Sequence, residues 1–288
     1  MIKESELILN PDGSIYHLNL LPEDIAPTVI SVGDPKRVER ISRHFDTIEV
    51  KKQKREFVTH TGVLNGKRLT VIATGIGPDN IDIVINELDA LVNIDLDNRT
   101  VKEKLTSLNI IRIGTSGSLQ EDIPVDSYVL AKYGLGLDNM IRSYDTKDIT
   151  EKDVEDAFIE HTGWDLAKGR PSVIKGSEKL LKKLSSDKTV TGFTATAPGF
   201  YGPQGRILRL ALQDASLNTK MDNFNFNGIK VTNLEMETSA IYGLSKLLGH
   251  EALSANTIIA NRANGTFTKD PYKSVDGLIK YILSQLTI

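Results

Sequence analysis

The stretch Ile110–Gln120 places the tightest constraint on what this chain can fold into. Its first half is a short apolar run rich in β-branched residues, which predicts a buried strand. Its second half, Gly114–Ser118, holds two glycines and three hydroxyl side chains and predicts a loop at the end of that strand. Because open α/β sheets bind ligands beyond the carboxyl ends of their strands, this stretch predicts a ligand site.

One charged residue, Arg112, interrupts the apolar run. A buried guanidinium is costly unless an anion meets it, so the strand, the arginine and the donor-rich loop together favour an oxyanion site. The alternative is an ordinary Gly/Ser turn in which Arg112 pairs with a carboxylate of the protein itself. Both interpretations stay open here, because short glycine-rich motifs often occur by chance.

The composition limits the class of protein. The chain of 288 residues is long enough to bury a large core, and its net charge of -3 indicates no basic surface for nucleic acid or an anionic membrane. The absence of cysteine excludes disulfides, thiolate metal ligands and a cysteine nucleophile. The five histidines do not stand at metal-ligand spacings, so no metal site is predicted. No signal peptide or membrane-spanning run is present, and we expect a cytoplasmic enzyme.

Predicted strands alternate with predicted helices along most of the chain. This order predicts an α/β fold, a single domain over residues 1–288 with a central mixed β-sheet flanked by helices. Beside the strand in Ile110–Gln120, the predicted strands are Thr28–Gly33, Thr47–Lys52, Arg55–Leu64, Leu69–Thr74, Asp126–Leu135, Thr189–Thr196, Gly228–Leu234 and Ala252–Ala260. The predicted helices are Pro35–His44, Asp79–Val92, Glu151–Ala167, Glu178–Leu184, Glu235–Leu248 and Tyr272–Leu286. Residues 207–228 give no clear prediction.

A second candidate anion site lies at Gly33–Arg37, between the first predicted strand and helix. Pro35 can open the helix at its first position. Lys36 and Arg37 then fall in the first turn, where positive charge is unfavourable against the helix dipole. An anion bound at this helix N-terminus would explain both cations, and the alternative is a solvated basic turn.

The loop Pro198–Arg206 has the composition of a site for a planar ligand. Its glycines and prolines fix its shape, and its two aromatic residues offer stacking faces. Gln204 and Arg206 offer planar hydrogen-bonding groups. The alternative is an ordered surface loop whose aromatic residues cap the core.

The junction at Glu235–Ser239 carries two carboxylates, Glu235 and Glu237, two residues apart. At a strand-to-helix junction the two cannot face the same way, so one should point inward. The alternative is simple helix capping, in which Thr238 and Ser239 bond the free backbone groups.

Seven segments in this order resemble the nucleoside phosphorylase family and, within it, the uridine phosphorylases. They are Gly33-Asp-Pro-Lys-Arg37, Lys54-Arg-Glu-Phe57, Thr74-Gly-Ile-Gly77, Ile111-Arg-Ile-Gly-Thr-Ser-Gly117, Phe200-Tyr-Gly-Pro-Gln-Gly-Arg206, Leu234-Glu-Met-Glu-Thr238 and Asn261-Arg262. The resemblance spans roughly residues 14–285, and the order of the segments makes it specific although no single one is decisive.

The resemblance implies a role for each matching residue. The phosphate-binding residues would be Gly33, Arg37, Arg112, Thr115 and, from the neighbouring subunit, Arg55. The ribose-binding residues would be Met236, Glu237 and, from the neighbouring subunit, His17. The base-binding residues would be Phe200, Gln204, Arg206 and Arg262. The residues with catalytic roles would be Arg37, Arg112, Glu237, Gln204 and Arg206.

The resemblance further implies phosphorolysis of a nucleoside, with uridine as substrate and inorganic phosphate as co-substrate. It implies no metal and no organic cofactor. The minimal assembly would be a homodimer, and three such dimers would form a hexamer. Two other enzymes of the same family remain alternatives: a purine nucleoside phosphorylase and a nucleosidase that uses water. An alternative of another class is a non-catalytic nucleoside-binding protein.

Some features of the sequence bear on these alternatives. Purine-specific relatives often carry an aspartate after the last strand, and here Ala260-Asn261-Arg262 holds no acid. Retention of the three phosphate arginines argues against a water-using nucleosidase, which needs no such cluster. Residues 194–199 lack the acidic residues that usually precede the base-binding loop in this family. Segments 91–108 and 214–229 are longer than in the shorter bacterial members. These differences from the family pattern bear on the size of the nucleoside pocket and on the number of subunits in the assembly.

Overall fold

A large mixed sheet forms the frame of the molecule in a computed structural model that describes all 288 residues. The strands are β1 (Thr28–Val32), β2 (Thr47–Lys54), β3 (Phe57–Leu64), β4 (Lys67–Ala73), β5 (Ile94–Asp95), β6 (Thr100–Val101), β7 (Asn109–Ser118), β8 (Tyr128–Gly136), β9 (Ser172–Lys175), β10 (Thr189–Thr196), β11 (Asn225–Phe226), β12 (Ile229–Lys230), β13 (Asn233–Glu235), β14 (Glu251–Asn261) and β15 (Thr266–Phe267). The helices are α1 (Pro35–Ser42), α2 (Pro78–Asn93), α3 (Lys152–Thr162), α4 (Glu178–Leu184), α5 (Leu217–Asn223), α6 (Thr238–Leu247) and α7 (Pro271–Leu286).

The strand order combines an open sheet with a closed ring. The order is β15-β14-β8-β10-β13-β7-β1-β4-β3-β2, and β9 pairs with β8. Because β14 also pairs with β7, the strands β7, β14, β8, β10 and β13 close on one another. Pairs such as β1–β4 and β7–β14 are parallel, whereas β2–β3 and β3–β4 are antiparallel, which confirms the predicted mixed sheet.

Helices cover both faces of this sheet. Neighbouring residues of a strand point to opposite faces, so Val29 of β1 and Ile110 of β7 pack in the cluster that contains α2 and α6. Ile30 and Ile111, one residue further along, pack in the cluster that contains α1 and α7. The continuous apolar runs of these strands are typical of a sheet buried on both faces. None of the helices is long and apolar enough to cross a membrane.

The predicted loop at Gly114–Ser118 is wrong, because β7 continues to Ser118. The strand β14 pairs with β7 along its whole length, and β13 pairs with Gly117 and Ser118 on the other side. Backbone pairing on both sides therefore outweighs the turn preference of glycine and serine in this segment. The consequence for the site is that Gly114 and Thr115 stand on a fixed strand.

Other boundaries also differ from the predictions. Arg55 lies in the turn between β2 and β3 with a positive φ of 52°, not inside a strand. The helix α3 ends at Thr162, because Gly163 adopts the left-handed conformation that commonly ends a helix. The helix α6 begins at Thr238, and the strand β9 was not predicted.

Candidate active site

The two carboxylates at the β13–α6 junction point in different directions, as predicted. Glu235 turns back toward the start of α6, where its carboxylate accepts the backbone N–H groups of Glu237 (2.9 Å) and Thr238 (3.0 Å). The Thr196 hydroxyl donates to the same carboxylate (2.7 Å). The helix is thus capped by the preceding glutamate, and the alternative capping by Thr238 and Ser239 is wrong: the Thr238 hydroxyl bonds Ser254.

Glu237 faces the end of β4 and the guanidinium of Arg112. Its Oε1 accepts the backbone N–H of Gly77 at 2.9 Å, and its Oε2 accepts a hydrogen bond from Arg112 Nη2. Burial raises the pKa of the Glu237 carboxyl, an effect that the nearby Arg112 opposes and Glu235 reinforces. This side chain is therefore a buried acceptor with part of its hydrogen-bonding capacity left over, since an ionised carboxylate accepts about four bonds.

Arg112 is buried and held by protein groups on two sides. Its Nη2 lies 3.1 Å from Glu235 Oε2 and bonds Glu237, while its Nη1 donates to Asn256 Oδ1 at 2.5 Å. Burial works against its charge, but the two glutamates outweigh burial and raise the pKa of Arg112. Arg112 thus has the carboxylate partners of the second interpretation, and its contact with phosphate stays a prediction.

Arg37 differs from Arg112 because it has no carboxylate partner. Its Nη1 donates to the backbone oxygen of Ile113 at 3.1 Å, and its buried Nε has no hydrogen-bond partner. Burial, and next the charge of Arg112, lower the pKa of Arg37 to about 10. A half-buried cation that has no ion-pair partner and lies beside a second cation is a place where an anion gains free energy.

Arg37 lies in the first turn of α1, where the sequence predicts an anion site. Asp34 caps this helix by accepting the N–H of Lys36 at 2.9 Å, and the Lys36 side chain is exposed. Gly33 lies against the β4–α2 loop: a Cβ at Gly33 would stand 3.3 Å from the oxygen of Gly75. The two loops are thus packed closely enough that a side chain at this position would crowd them.

In the loop Pro198–Arg206, called the base loop below, the polar side chains bond one another. Gln204 is buried, and its Oε1 accepts a hydrogen bond from Arg206 Nη1 at 2.5 Å. The Arg206 guanidinium also donates to the backbone oxygen of Phe200 (2.6 Å) and lies 3.8 Å from the centroid of the Phe200 ring. Phe200 and Tyr201 are about half exposed, so the alternative in which these aromatic residues cap the core is wrong.

Arg262 lies at the end of β14 with an unused donor. Its Nη1 is buried without a partner, and burial lowers its pKa, with a further contribution from the charge of Arg206. The preceding Asn261 is fully engaged: its Oδ1 accepts two backbone N–H groups of the following turn, and its Nδ2 donates to the oxygens of Gln120 and Ile123. Asn261 therefore closes the turn and leaves Arg262 as the polar group at this strand end.

Thr115 and Met236 are the remaining residues that the resemblance assigns to phosphate and ribose within one chain. Both are half-buried: Thr115 follows Gly114 on β7, and Met236 stands between the two glutamates at the β13–α6 junction.

His17 is held away from Glu237 within the chain. Its ring Nδ1 lies 2.6 Å from Glu87 Oε1, and its backbone N–H bonds the same carboxylate. Glu87 is nine residues along α2 from Pro78, the residue after Gly77. At the rise of an α-helix this is about 14 Å, more than an imidazole side chain spans.

Arg55 lies exposed at the turn between β2 and β3 and makes no side-chain hydrogen bond or ion pair. The adjacent Glu56 lies against the β4–α2 loop, where its Cγ would stand 3.3 Å from a Cβ at Gly75. Arg55 therefore lies at the surface, and His17 lies half-buried against Glu87, away from Glu237.

The sequence analysis missed two contacts of this site. Asn256 is fully buried on β14 and bonds Arg112, and the Gly77 N–H bonds Glu237. Asn256 interrupts the apolar segment Ala252–Ala260 much as Arg112 interrupts its own strand, so a polar residue in a predicted buried strand was the available signal. No sequence signal points to the contact of Gly77, which depends on how α2 meets α6.

One cavity lies elsewhere on the molecule. It has a volume of about 610 Å³ and is bounded by β8, β10 and the turn between β11 and β12. Its charged residues, Asp122, Lys132 and Lys230, are exposed, and no unpartnered buried donor lines it. The group of Arg37, Arg112 and Glu237 is the better candidate, because it combines buried charge with a buried donor that has no acceptor.

Three known proteins show what the chain resembles. It is 31% identical to a Trypanosoma brucei nucleoside phosphorylase that shows uridine phosphorylase activity; the match covers 97% of this chain and 99% of that structure, with a TM-score of 0.88. It is 28% identical to a uridine phosphorylase of Thermococcus kodakarensis, over 90% of this chain and 81% of that protein. It is 27% identical to a DeoD-type purine nucleoside phosphorylase of Alkaliphilus metalliredigens, over 93% and 97%.

The fold and the sequence matches are those of an enzyme that transfers a pentosyl group. The sequence profile of the phosphorylase superfamily matches residues 27–277, and the chain belongs to this family. The predicted family and fold class are confirmed, and the activity is that of a nucleoside phosphorylase, whose ligands are nucleosides and phosphate.

Proposed function

We propose that this enzyme is a uridine phosphorylase, which converts uridine and phosphate to uracil and ribose 1-phosphate. One observation supports the proposal most: the chain combines buried arginine N–H groups that have no acceptor with the buried carboxylate of Glu237. Arg37 and Arg262 each hold a buried N–H group without an acceptor, and Glu237 lies between the phosphate arginines and the base loop in the proposed arrangement.

Phosphate would bind between Arg37 and the backbone at Gly33. Phosphate is about doubly charged near neutrality, and guanidinium groups match its oxygens with paired hydrogen bonds. Arg37 brings a full positive charge that no carboxylate neutralises, while the charge of Arg112 is shared with Glu235 and Glu237. Thr115 lies on β7, where it pairs with Thr257 of β14, so the backbone that carries its hydroxyl is fixed before phosphate binds.

Glu237 would hold the 2′ and 3′ hydroxyls of the ribose. Its carboxylate is already fixed by Gly77 and Arg112, and its remaining lone pairs can accept from the sugar. Met236 would pack under the ring. Because attack by phosphate proceeds through an oxocarbenium-like state, a fixed sugar beside a fixed nucleophile lowers the entropic part of the barrier.

The base loop would stabilise the leaving uracil as negative charge develops on its carbonyl oxygens. Arginine only donates, so the bond from Arg206 fixes Gln204 with Oε1 toward the guanidinium. Oε1 keeps a second lone pair for the ring N–H, and Nε2 can donate to a carbonyl. Arg206 and Arg262 place positive charge on the same side, which favours the departing anion.

The state of Asn261 favours a pyrimidine over a purine. A purine-specific site of this family would present an acid here to protonate the ring, whereas Asn261 uses both ends of its amide to hold the local turn. The sequence relatives include enzymes of both specificities at nearly equal identity, so similarity does not favour either base, whereas the contacts of Asn261 favour a pyrimidine.

The proposal includes a shared site in a homodimer, with three dimers forming a hexamer. His17 and Arg55 would each complete the site of a neighbouring subunit. His17 supports this arrangement because it bonds Glu87. Glu87 lies about 14 Å along α2 from the end of that helix next to Gly77, the residue that contacts Glu237 of the same chain.

Substrate assays of the purified enzyme test the proposal. Initial rates are measured for uridine, thymidine, cytidine and inosine, each with and without inorganic phosphate. We expect phosphate-dependent release of uracil from uridine, and a rate with cytidine lower by about 10⁴-fold, because its amino group meets a donor where uracil offers an acceptor. Faster cleavage of inosine than of uridine would make the enzyme a purine phosphorylase, and cleavage without phosphate would make it a nucleosidase.

A further inference from the structure

We propose that Asn256 is a positioning residue that sets the orientation of Arg112 for phosphorolysis; this inference rests on the proposed function. Asn256 lies on β14, is fully buried, and has its Oδ1 2.5 Å from Arg112 Nη1. The opposite edge of the guanidinium bonds Glu237 and lies 3.1 Å from Glu235. With both edges held, the plane of the guanidinium cannot rotate, and neither can the carboxylate of Glu237 that it bonds.

The local backbone makes room for this contact. In the parallel pairing of β7 and β14, Asn256 stands beside Gly114 and Ser254 stands beside Arg112. The Arg112 side chain bends along the strand so that a Cβ at Gly114 would stand 1.9 Å from its Nη1 and 2.7 Å from Asn256 Oδ1. Only a bare backbone at residue 114 lets the guanidinium and the amide meet, so Gly114 and Asn256 act together.

The amide of Asn256 is itself fixed by a chain of hydrogen bonds. Because arginine only donates, Oδ1 must face Arg112 and Nδ2 must face away. Nδ2 donates to the Ser254 hydroxyl at 3.2 Å, and Ser254 also accepts from the Thr238 hydroxyl at 2.8 Å. Thr238 is the residue after Glu237, so the chain of bonds returns to the start of α6 and links both groups of the site to β14.

The neutrality of Asn256 matters as much as its position. Arg112 already faces two carboxylates, and phosphate would add a third anion nearby. An acceptor without charge holds Nη1 and leaves the positive charge for the substrate. A carboxylate at residue 256 would keep the hydrogen bond, draw on the charge of Arg112 and repel phosphate.

The matched substitutions Asn256→Asp and Asn233→Asp test this inference in the full-length enzyme. Asn233 is also fully buried in β13, but its partners are the hydroxyls of Thr194, Thr232 and Ser116, each of which can donate to a carboxylate. Initial rates are measured with phosphate and uridine varied separately. We expect Asn256→Asp to raise the KM for phosphate about tenfold or more and the KM for uridine much less, and Asn233→Asp to change both only slightly.

A second variant, Asn256→Ser, keeps the inference testable if Asn256→Asp does not fold. It removes the contact with Arg112 without adding charge, so kcat should fall while the KM for phosphate rises less than in Asn256→Asp. Kinetic constants of both Asn256 variants equal to those of the wild type, or an equal loss in Asn233→Asp, would overturn the positioning role. A wild-type enzyme that cleaves uridine without phosphate would overturn the proposed function and, with it, this inference, whereas phosphorolysis by the wild type with unchanged Asn256 variants would overturn the inference alone.

Discussion

Arg37 and Arg112 carry the same charge in one site, but the chain surrounds them differently. Arg112 is matched by Glu235 and Glu237, whereas Arg37 has only a backbone oxygen and one buried donor without a partner. A buried cation that is matched within the chain contributes to folding, and one that is unmatched is available to a ligand. The two arginines should therefore fail in different ways when they are removed.

The substitutions Arg37→Ala and Arg112→Ala are expected to separate binding from stability. Arg37→Ala should raise the KM for phosphate strongly and change the free energy of unfolding little, because the folded chain loses no ion pair. Arg112→Ala should lower activity and also cost about 3–5 kcal/mol of unfolding free energy, because two carboxylates stay buried without their cation. Kinetics with each substrate varied separately, together with urea unfolding, measure both effects.

Arg40→Ala is the control for these two variants. Arg40 is on the same helix as Arg37 but pairs with Asp276 near the surface, at 2.8 Å, so its loss should leave the KM for phosphate unchanged. If Arg37→Ala and Arg40→Ala alter the phosphate dependence equally, Arg37 is not a phosphate ligand.

The sequence predicted these residues more successfully than their contacts. A charged residue inside an apolar strand indicated that Arg112 would be buried beside an anion, and two cations at a helix start singled out Arg37. The identity of the anion beside Arg112 could not be predicted, because Glu235 lies more than one hundred residues later and meets it through β13. Long-range pairing of this kind leaves no local pattern.

At the scale of elements, long strands and helices followed from the sequence, and short or doubly paired ones did not. The helices α2 and α7 and the strand β10 lie close to their predicted bounds, because their apolar positions repeat at the proper spacing. The four residues of β9 are too few for such a pattern. The composition of Gly114–Ser118 favours a turn, and only its pairing with β13 and β14 makes it a strand.

The junction of β13 and α6 assigns different tasks to its two glutamates, and a pair of neutral substitutions should separate them. Glu235→Gln should lower the free energy of unfolding by about 2 kcal/mol, because the start of α6 loses an anion that accepts two backbone N–H groups. Glu237→Gln should lower it less, since burial already raises the pKa of that carboxyl and disfavours its charge. The KM for uridine should rise much more in Glu237→Gln.

The pH dependence of unfolding provides a second readout of this pair. A carboxyl whose pKa is raised in the folded chain binds its proton more tightly there than in the unfolded chain. Stability relative to Glu237→Gln should therefore be highest near the usual glutamate value of 4.5 and fall as the pH rises from it toward the raised pKa. A larger loss of stability in Glu237→Gln than in Glu235→Gln would contradict the assigned tasks.

At the scale of the whole molecule, one chain brings together part of the predicted site. Arg112 bonds Glu237 and Arg37 lies close to both, while His17 is held at the far half of α2 and Arg55 lies exposed on the β2–β3 turn. Both were assigned through resemblance, since nothing in the local sequence of a surface arm tells which subunit it serves. In the proposed dimer, the side chains of His17 and Arg55 would act on the active site of the second subunit.

A mixture of two inactive variants would show whether subunits share their sites. Arg55→Ala removes only the arginine that one subunit is expected to contribute to its neighbour, and Glu237→Gln disables only the site that receives it.

In a mixed dimer with two-fold symmetry, one site then combines an intact Glu237 with an intact Arg55, while the other site carries both defects. Random pairing of equal amounts on co-expression should restore about a quarter of the wild-type activity, and purification on two different affinity tags, which isolates the mixed dimers, should raise this to about half. The double variant Arg55→Ala/Glu237→Gln mixed with wild type is the control, because its mixed dimers contain no site with both defects and no fully intact one. If Arg55 served its own subunit, every site in the first mixture would stay defective and activity would not return.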